Sequence, residues 1–233
     1  MNQLLVSTAL TLVFIFLTFR EKIIKRYKIL YIFLILYFFI DQIITRVMIN
    51  IRLLSFISSK YNWDGKILSL VLSVIFIIFI GKKFNVKFGL NLKINEKSKK
   101  FVSINIILIF IIIFIIFLKD FNINFYLENI YFLTIVGFSE ELSSRGIQLS
   151  LLDKMFMNKR DVLGINFSII ITSFIFALSH LFYVNNDIFQ ITLLGFFISL
   201  IFGFYLGYLR KISGNLLICI LFHNLLNIIL INV

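Results

Sequence analysis

Apolar runs of membrane-crossing length, separated by short clusters of charge, constrain this chain more than any other feature. Stretches such as "ILYIFLILYFFI" (29–40) and "FVSINIILIFIIIFIIF" (101–117) offer no polar face to water. About 20 such residues in a helix cross a bilayer's hydrocarbon core. Inside that core every backbone N–H and C=O must find its partner within the protein, which leaves helical bundles as the natural architecture for runs of this kind. Eight candidate spans follow, at roughly 3–19, 29–49, 67–81, 101–118, 127–152, 163–183, 188–209 and 213–232. The third is short, and extends into "NWDGK" if it is to cross fully. The expectation is an all-α, polytopic membrane helical bundle of about eight transmembrane helices.

Composition agrees with that reading. Of 233 residues, 61% are hydrophobic, and the mean hydropathy is +1.03, far above the range of soluble domains. The formal charge of +12 does not point to nucleic acid, because the basic residues sit in short loops beside apolar runs, where lipid head groups and insertion topology account for them. Loops after the first, third, fifth and seventh spans are Lys- and Arg-rich, as in Arg20 to Lys28, Lys82 to Lys100, Lys154 to Arg160, and Arg210 with Lys211. The others are poor, the last carrying only Asp187. The positive-inside rule then puts the odd loops in the cytoplasm and both termini outside. The N-terminus lacks a basic n-region and reads as a first span. One cysteine, Cys219, excludes an intrachain disulfide or a Cys-based zinc cluster. The Ile, Phe, Lys and Asn bias is that of an AT-rich bacterial genome, and a cell-membrane location follows.

Against this background "SEELSSRG" (139–146) stands out, with three ionised groups within six residues of an apolar run. Each costs about 2.5–3.5 kcal/mol at mid-membrane, so they require compensation. Glu141 and Arg145 are i,i+4 and can pair, whereas Glu140 is turned about 100° away. One carboxylate is neutralised and the other remains for general-base work. Both histidines of the chain also fall within late spans: His180 in "FALSH" and His223 in "HNLLN". His223 and Asn227 share a helical face, as do Phe176 and His180, whose aromatic ring can fix the imidazole. Counting about 1.5 Å per residue from the cytoplasmic ends places Glu140, His223, Asn227 and His180 near 20, 16, 22 and 27 Å, so they can converge on one cavity. The seventh span carries Gly195, Ser199, Gly203 and Gly207 every four residues, a ladder for close helix packing.

The ordered segments "EELSSRG", "FALSH" and "HNLLN", with the lead-in "GFYLGYLRKISGNLLICILFHNLLN", resemble the CAAX protease and bacteriocin-processing family, the Abi-type intramembrane proteases. The resemblance covers roughly residues 127–232. It divides the chain into N-terminal helices without recognised motif (1–126) and a catalytic core (127–233) within one membrane domain. Where the family often has a large residue before the arginine, this chain has Ser144. The resemblance implies an intramembrane endopeptidase in which Glu140, assisted by His180, activates water while His223 and Asn227 donate to the oxyanion. Glu141, Arg145 and Phe176 act in support. Its substrate is a membrane-associated protein or peptide, and the bilayer is its other partner.

Four alternatives stay open at this point. The same Glu140, His180 and His223 with a water could form an open zinc site, although no HExxH motif is present and a metal-free, cofactor-free site is favoured. Cys219, one turn before His223, could serve as nucleophile. A non-catalytic membrane immunity protein would need the cavity without the acid. A transporter using Asp41 and Arg46 is disfavoured by the lack of repeat symmetry.

Overall fold

The computed structural model describes residues 2–47, 62–91, 93–117, 131–156, 166–185 and 188–232. Among these, eight helices occur in chain order: α1 (Asn2–Thr18), α2 (Glu21–Val47), α3 (Trp63–Phe84), α4 (Lys99–Phe117), α5 (131–156), α6 (Phe167–Leu181), α7 (Leu193–Ser213) and α8 (Leu216–Asn232). Each answers to one expected span. Non-helical dihedrals at Tyr27 break α2 where the basic segment gives way to the apolar one, so its continuous part begins near the expected position. The third span does extend into "NWDGK": Asn62 caps α3, its Oδ1 accepting the Gly65 N–H at 2.9 Å. The expected starts of the fifth and sixth spans (127–130 and 163–165) and the loop charges Lys159, Arg160 and Asp187 lie outside the described residues.

By length and composition α2, α3 and α7 can each cross a membrane; α1, α6 and α8 are apolar but shorter. Large apolar side chains such as Phe16, Leu194 and Ile201 point outward, which for a helical membrane protein is the lipid-facing surface. The protein is an all-α membrane helical bundle apart from one departure. The expected seventh span begins at 188, yet Ile188–Ile191 is a strand pairing antiparallel with Phe182–Asn185, and the helix starts only at Leu193. β-branched and aromatic residues flank a two-residue Asn-Asp connection in the sequence, the composition of a tight hairpin.

The main core joins α1, α2, α3, α5 and α6 around Phe14, Leu34, Phe38, Ile147 and Ile175. Phe14 and Phe38 stack at 4.5 Å between centroids. Polar ties run through the same layer: Tyr37 Oη meets Ser73 Oγ at 2.7 Å, joining α2 to α3. Along α7 the small-residue ladder faces α6. A Cβ on Gly207 would lie 2.8 Å from Ile169, and one on Gly203 3.1 Å from Ser173. Glycine there lets the two backbones approach and fixes what α6 carries.

Helix α5 is unusual. Two π-helical segments, Tyr131–Val136 and Leu142–Gln148, flank the α-helical pentapeptide Gly137–Glu141. The Gly137 N–H donates at 2.9 Å to Oδ1 of Asn224 on α8. A Cβ at 137 would stand 2.1 Å from that oxygen, so the contact requires glycine. Ser144 Oγ donates back to the Glu140 carbonyl at 2.5 Å. Wide turns of this kind recur at functional sites, because they re-aim side chains that a regular helix would place elsewhere.

Candidate active site

Among the described residues the most buried charge is the Glu141–Arg145 pair, both side chains at 0% exposure and 2.7 Å apart. Arg145 Nη1 also donates to Ser144 Oγ at 2.8 Å, Nη2 reaches the Gly203 carbonyl at 3.4 Å, and the guanidinium lies 4.3 Å over the Phe176 ring. The small residue of α7 thus admits the cation, and the hydroxyl that replaces a bulky side chain at 144 becomes one of its acceptors.

Glu141 has a second partner. Its Oε1 lies 2.7 Å from Nδ1 of His223. Paired with Arg145, this carboxylate can only accept, so Nδ1 carries the proton and Nε2 of a neutral His223 presents a lone pair. That Nε2 is 3.6 Å from Glu140 Oε2. On α6, His180 Nδ1 meets the Phe176 carbonyl at 2.8 Å, and must donate to it, while the Phe176 ring packs on the imidazole at 4.5 Å. Its Nε2 is left facing the same Glu140 Oε2 at 3.8 Å. Three lone-pair atoms therefore converge on one point. They are too far apart for direct hydrogen bonds, and Oε2 makes none among the described residues.

Glu140 is not the unpaired carboxylate expected from the spacing. Its Oε1 is met at 2.5 Å by Nζ of Lys66, in the first turns of α3. Nothing local to "SEELSSRG" signals this partner, which lies 74 residues earlier. The available sign was a lone lysine opening an apolar span, which charge counting assigns to a loop. Asn224, beside His223 in "HNLLN", was likewise overlooked, although a polar residue in an apolar helix warranted a partner.

Beside Glu140 and His180 a cavity of about 190 Å³ is lined by Asp41, Arg46, Lys66, Ser144 and other mainly polar residues of α2, α3, α5 and α6. Asp41 and Arg46 do not pair with each other. Asp41 accepts from Ser69 at 2.5 Å and Ser143 at 2.9 Å, tying α2 to α3 and α5, while Arg46 donates to the Ser179 carbonyl at 2.9 Å and to Gln42 at 3.2 Å. Both belong to the wall of this cavity. Asn227 lies one turn beyond His223, partly buried, and its Nδ2 has no hydrogen-bond partner among the described residues. Cys219 is buried in a separate cluster of α4, α7 and α8, its Sγ toward the Leu206 carbonyl at 3.5 Å. It does not line the cavity, which removes the geometric basis for a cysteine nucleophile.

The donor types fit a metal in one respect: each imidazole has its Nδ1 held by an acceptor and its Nε2 free, the usual arrangement of metal-ligating histidines. The charge does not fit. Glu140 already holds the Lys66 ammonium, and among the described residues no group of three His, Cys, Asp or Glu is arranged to hold a metal ion.

A helical membrane bundle that gathers a glutamate and two oriented imidazoles beside a polar cavity holds the groups that an intramembrane hydrolase would use. Residues 122–229 match the family model described as type II CAAX prenyl endopeptidase Rce1-like, so that segment of the chain is similar to a family of peptidases. No curated protein and no solved structure matches the chain.

Proposed function

We propose that the protein is an intramembrane endopeptidase that hydrolyses a peptide bond of a membrane-associated protein or peptide, with Glu140 as general base. The observation that carries this is the convergence of Glu140 Oε2 with Nε2 of His180 and His223 at 3.8 and 3.6 Å. A water placed between these acceptors donates one hydrogen to Glu140 Oε2 and the other to an imidazole Nε2, and turns its oxygen toward the cavity. Attack on the scissile carbonyl passes a water proton to Glu140 Oε2, with His180 sharing it. The tetrahedral oxyanion takes a hydrogen bond from Asn227 Nδ2 and a second from His223 when that same proton passes from Glu140 Oε2 to His223 Nε2, 3.6 Å away. Collapse returns the proton to the leaving amine, so that water is added across the bond and the enzyme is regenerated. Glu141 and Arg145 hold His223 and the helix face throughout.

The loop charges support a multi-pass cell-membrane protein with both termini outside. The AT-rich bacterial bias of the sequence favours a non-prenylated, membrane-anchored substrate over a prenylated one. The test compares membrane-fraction peptides from cells expressing the wild type or Glu140→Gln at matched levels, with new termini read by mass spectrometry. Termini that appear only with the wild type establish proteolysis and give its cleavage site. Identical profiles, with the variant still protecting the cell, would instead favour a non-catalytic immunity protein.

A further inference from the structure

We propose that Lys66 is a positioning residue for the hydrolytic reaction, contributed by the N-terminal half of the chain and outside the segment that matches the family model. The inference rests on the reading of Glu140 as the base. Its ammonium takes one carboxylate oxygen of Glu140 so that the other is presented to the two imidazoles.

The two oxygens of a glutamate are chemically equivalent, and the carboxylate turns freely about its last torsion. Here they are made different. Oε1 is engaged by Lys66 Nζ at 2.5 Å, and Oε2 is the atom that faces His180 and His223. A base that must collect a proton from a water held by two imidazoles works only when one defined oxygen points at that water.

The location of Lys66 is costly. It lies on the fourth residue after the Asn62 cap, close to the positive end of the α3 dipole, where a cation is disfavoured. Its side chain is only 16% exposed. Docking of α3 on α5 does not account for it, because two other contacts already make that joint. Trp63 packs on Tyr131 with centroids 5.0 Å apart, and Asp41 bridges Ser69 of α3 to Ser143 of α5. The cap itself is braced by Asn62 Nδ2 donating to the Thr45 carbonyl at 2.5 Å. The ion pair is thus an addition to a joint that stands without it, aimed at the one carboxylate the mechanism uses.

Two measurements on the full-length protein test this. First, a water-soluble carbodiimide alone, applied to purified protein in detergent, should join Lys66 to Glu140 as an isopeptide detectable by mass spectrometry; failure to form it overturns the contact and the proposal, whatever the substrate. Second, a synthetic peptide spanning the terminus that only the wild type produces is cleaved in phosphatidylcholine vesicles by wild type, Lys66→Met, Lys66→Arg, Glu140→Gln and the Lys66→Met/Glu140→Gln double variant. Lys66→Met should lower kcat at least about tenfold, the cost of misdirecting one charge-assisted hydrogen bond, with KM within about twofold. Lys66→Arg should recover most of kcat, and the double variant should be no slower than Glu140→Gln alone. Wild-type kcat in Lys66→Met, a loss carried by KM, or a further loss in the Glu140→Gln background overturns the proposal. Should Lys66→Met not be recovered as a monodisperse protein, Lys66→Gln carries the same expectations. Full cleavage by Glu140→Gln with the crosslink intact would sink the general-base reading and the proposal that rests on it, while leaving the contact itself established.

Discussion

Replacing Arg145 by methionine removes the cation from a fully buried ion pair while roughly keeping its volume. Glu141 then remains at 0% exposure with only the His223 Nδ1–H, at 2.7 Å, to receive its carboxylate. Breaking a buried pair by deleting one partner costs about 3–5 kcal/mol, because the surviving charge has nowhere to go. The guanidinium's position over Phe176 adds about 0.5–2 kcal/mol to what is lost. The histidine that stays behind offsets part of the sum, so the expected destabilisation is about 3 kcal/mol. Unfolding in mixed micelles titrated with SDS, followed by tryptophan fluorescence from Trp63, measures it. Glu141→Gln and the Glu141→Gln/Arg145→Met double variant close a thermodynamic cycle. The double variant should be much less destabilised than Arg145→Met, with a coupling of about 2 kcal/mol or more. A coupling below about 0.5 kcal/mol would refute the argument that this pair is held together by mutual burial. Arg145→Lys should not rescue, since a lysine cannot reach Glu141, Ser144 and the Gly203 carbonyl together.

Two further outcomes follow from the same geometry. Gly137→Ala places a methyl 2.1 Å from Asn224 Oδ1 and should abolish proteolysis with modest loss of stability; Asn224→Ala in the same chain should restore part of the activity, and no rescue would argue against a steric cause. Purified protein should carry well under one zinc per chain and retain its rate after chelation; loss of activity on chelation with recovery on adding zinc would reverse the assignment of Glu140 as a metal-free base.

The helical segments were legible because apolar length is a one-dimensional property, and most of their described ends fell within a few residues of the expected ones; α2 starts earlier and α7 later than expected. The Glu141–Arg145 contact was legible because i,i+4 spacing survives even though Arg145 sits in a wide turn. The relative heights were not. Straight-helix counting put His180 about 11 Å above His223, whereas both reach the same oxygen. Little of that error is arithmetic: α6 begins at Phe167, not near 163, which lowers His180 by about 6 Å, but α8 begins at Leu216, not 213, which lowers His223 by about 4.5 Å. Lys66 and Asn224 were missed for a different reason. Each acts across a long sequence separation, and no local spacing rule connects α3 or α8 with the backbone and side chains around Glu140.

The wide turns on either side of Gly137–Glu141 make the site depend on arithmetic as well as chemistry. A π turn holds one residue more than an α turn, so deleting a single residue from either one leaves a continuous, well-bonded helix. What changes is the azimuth, by about 100°, of everything beyond the deletion. Substitution tables are blind to this: a chain with every acid, imidazole and arginine retained would aim them past one another. In a lineage of such proteins, single-residue gaps within 131–148 would separate active from silent copies more sharply than most exchanges of one apolar side chain for another.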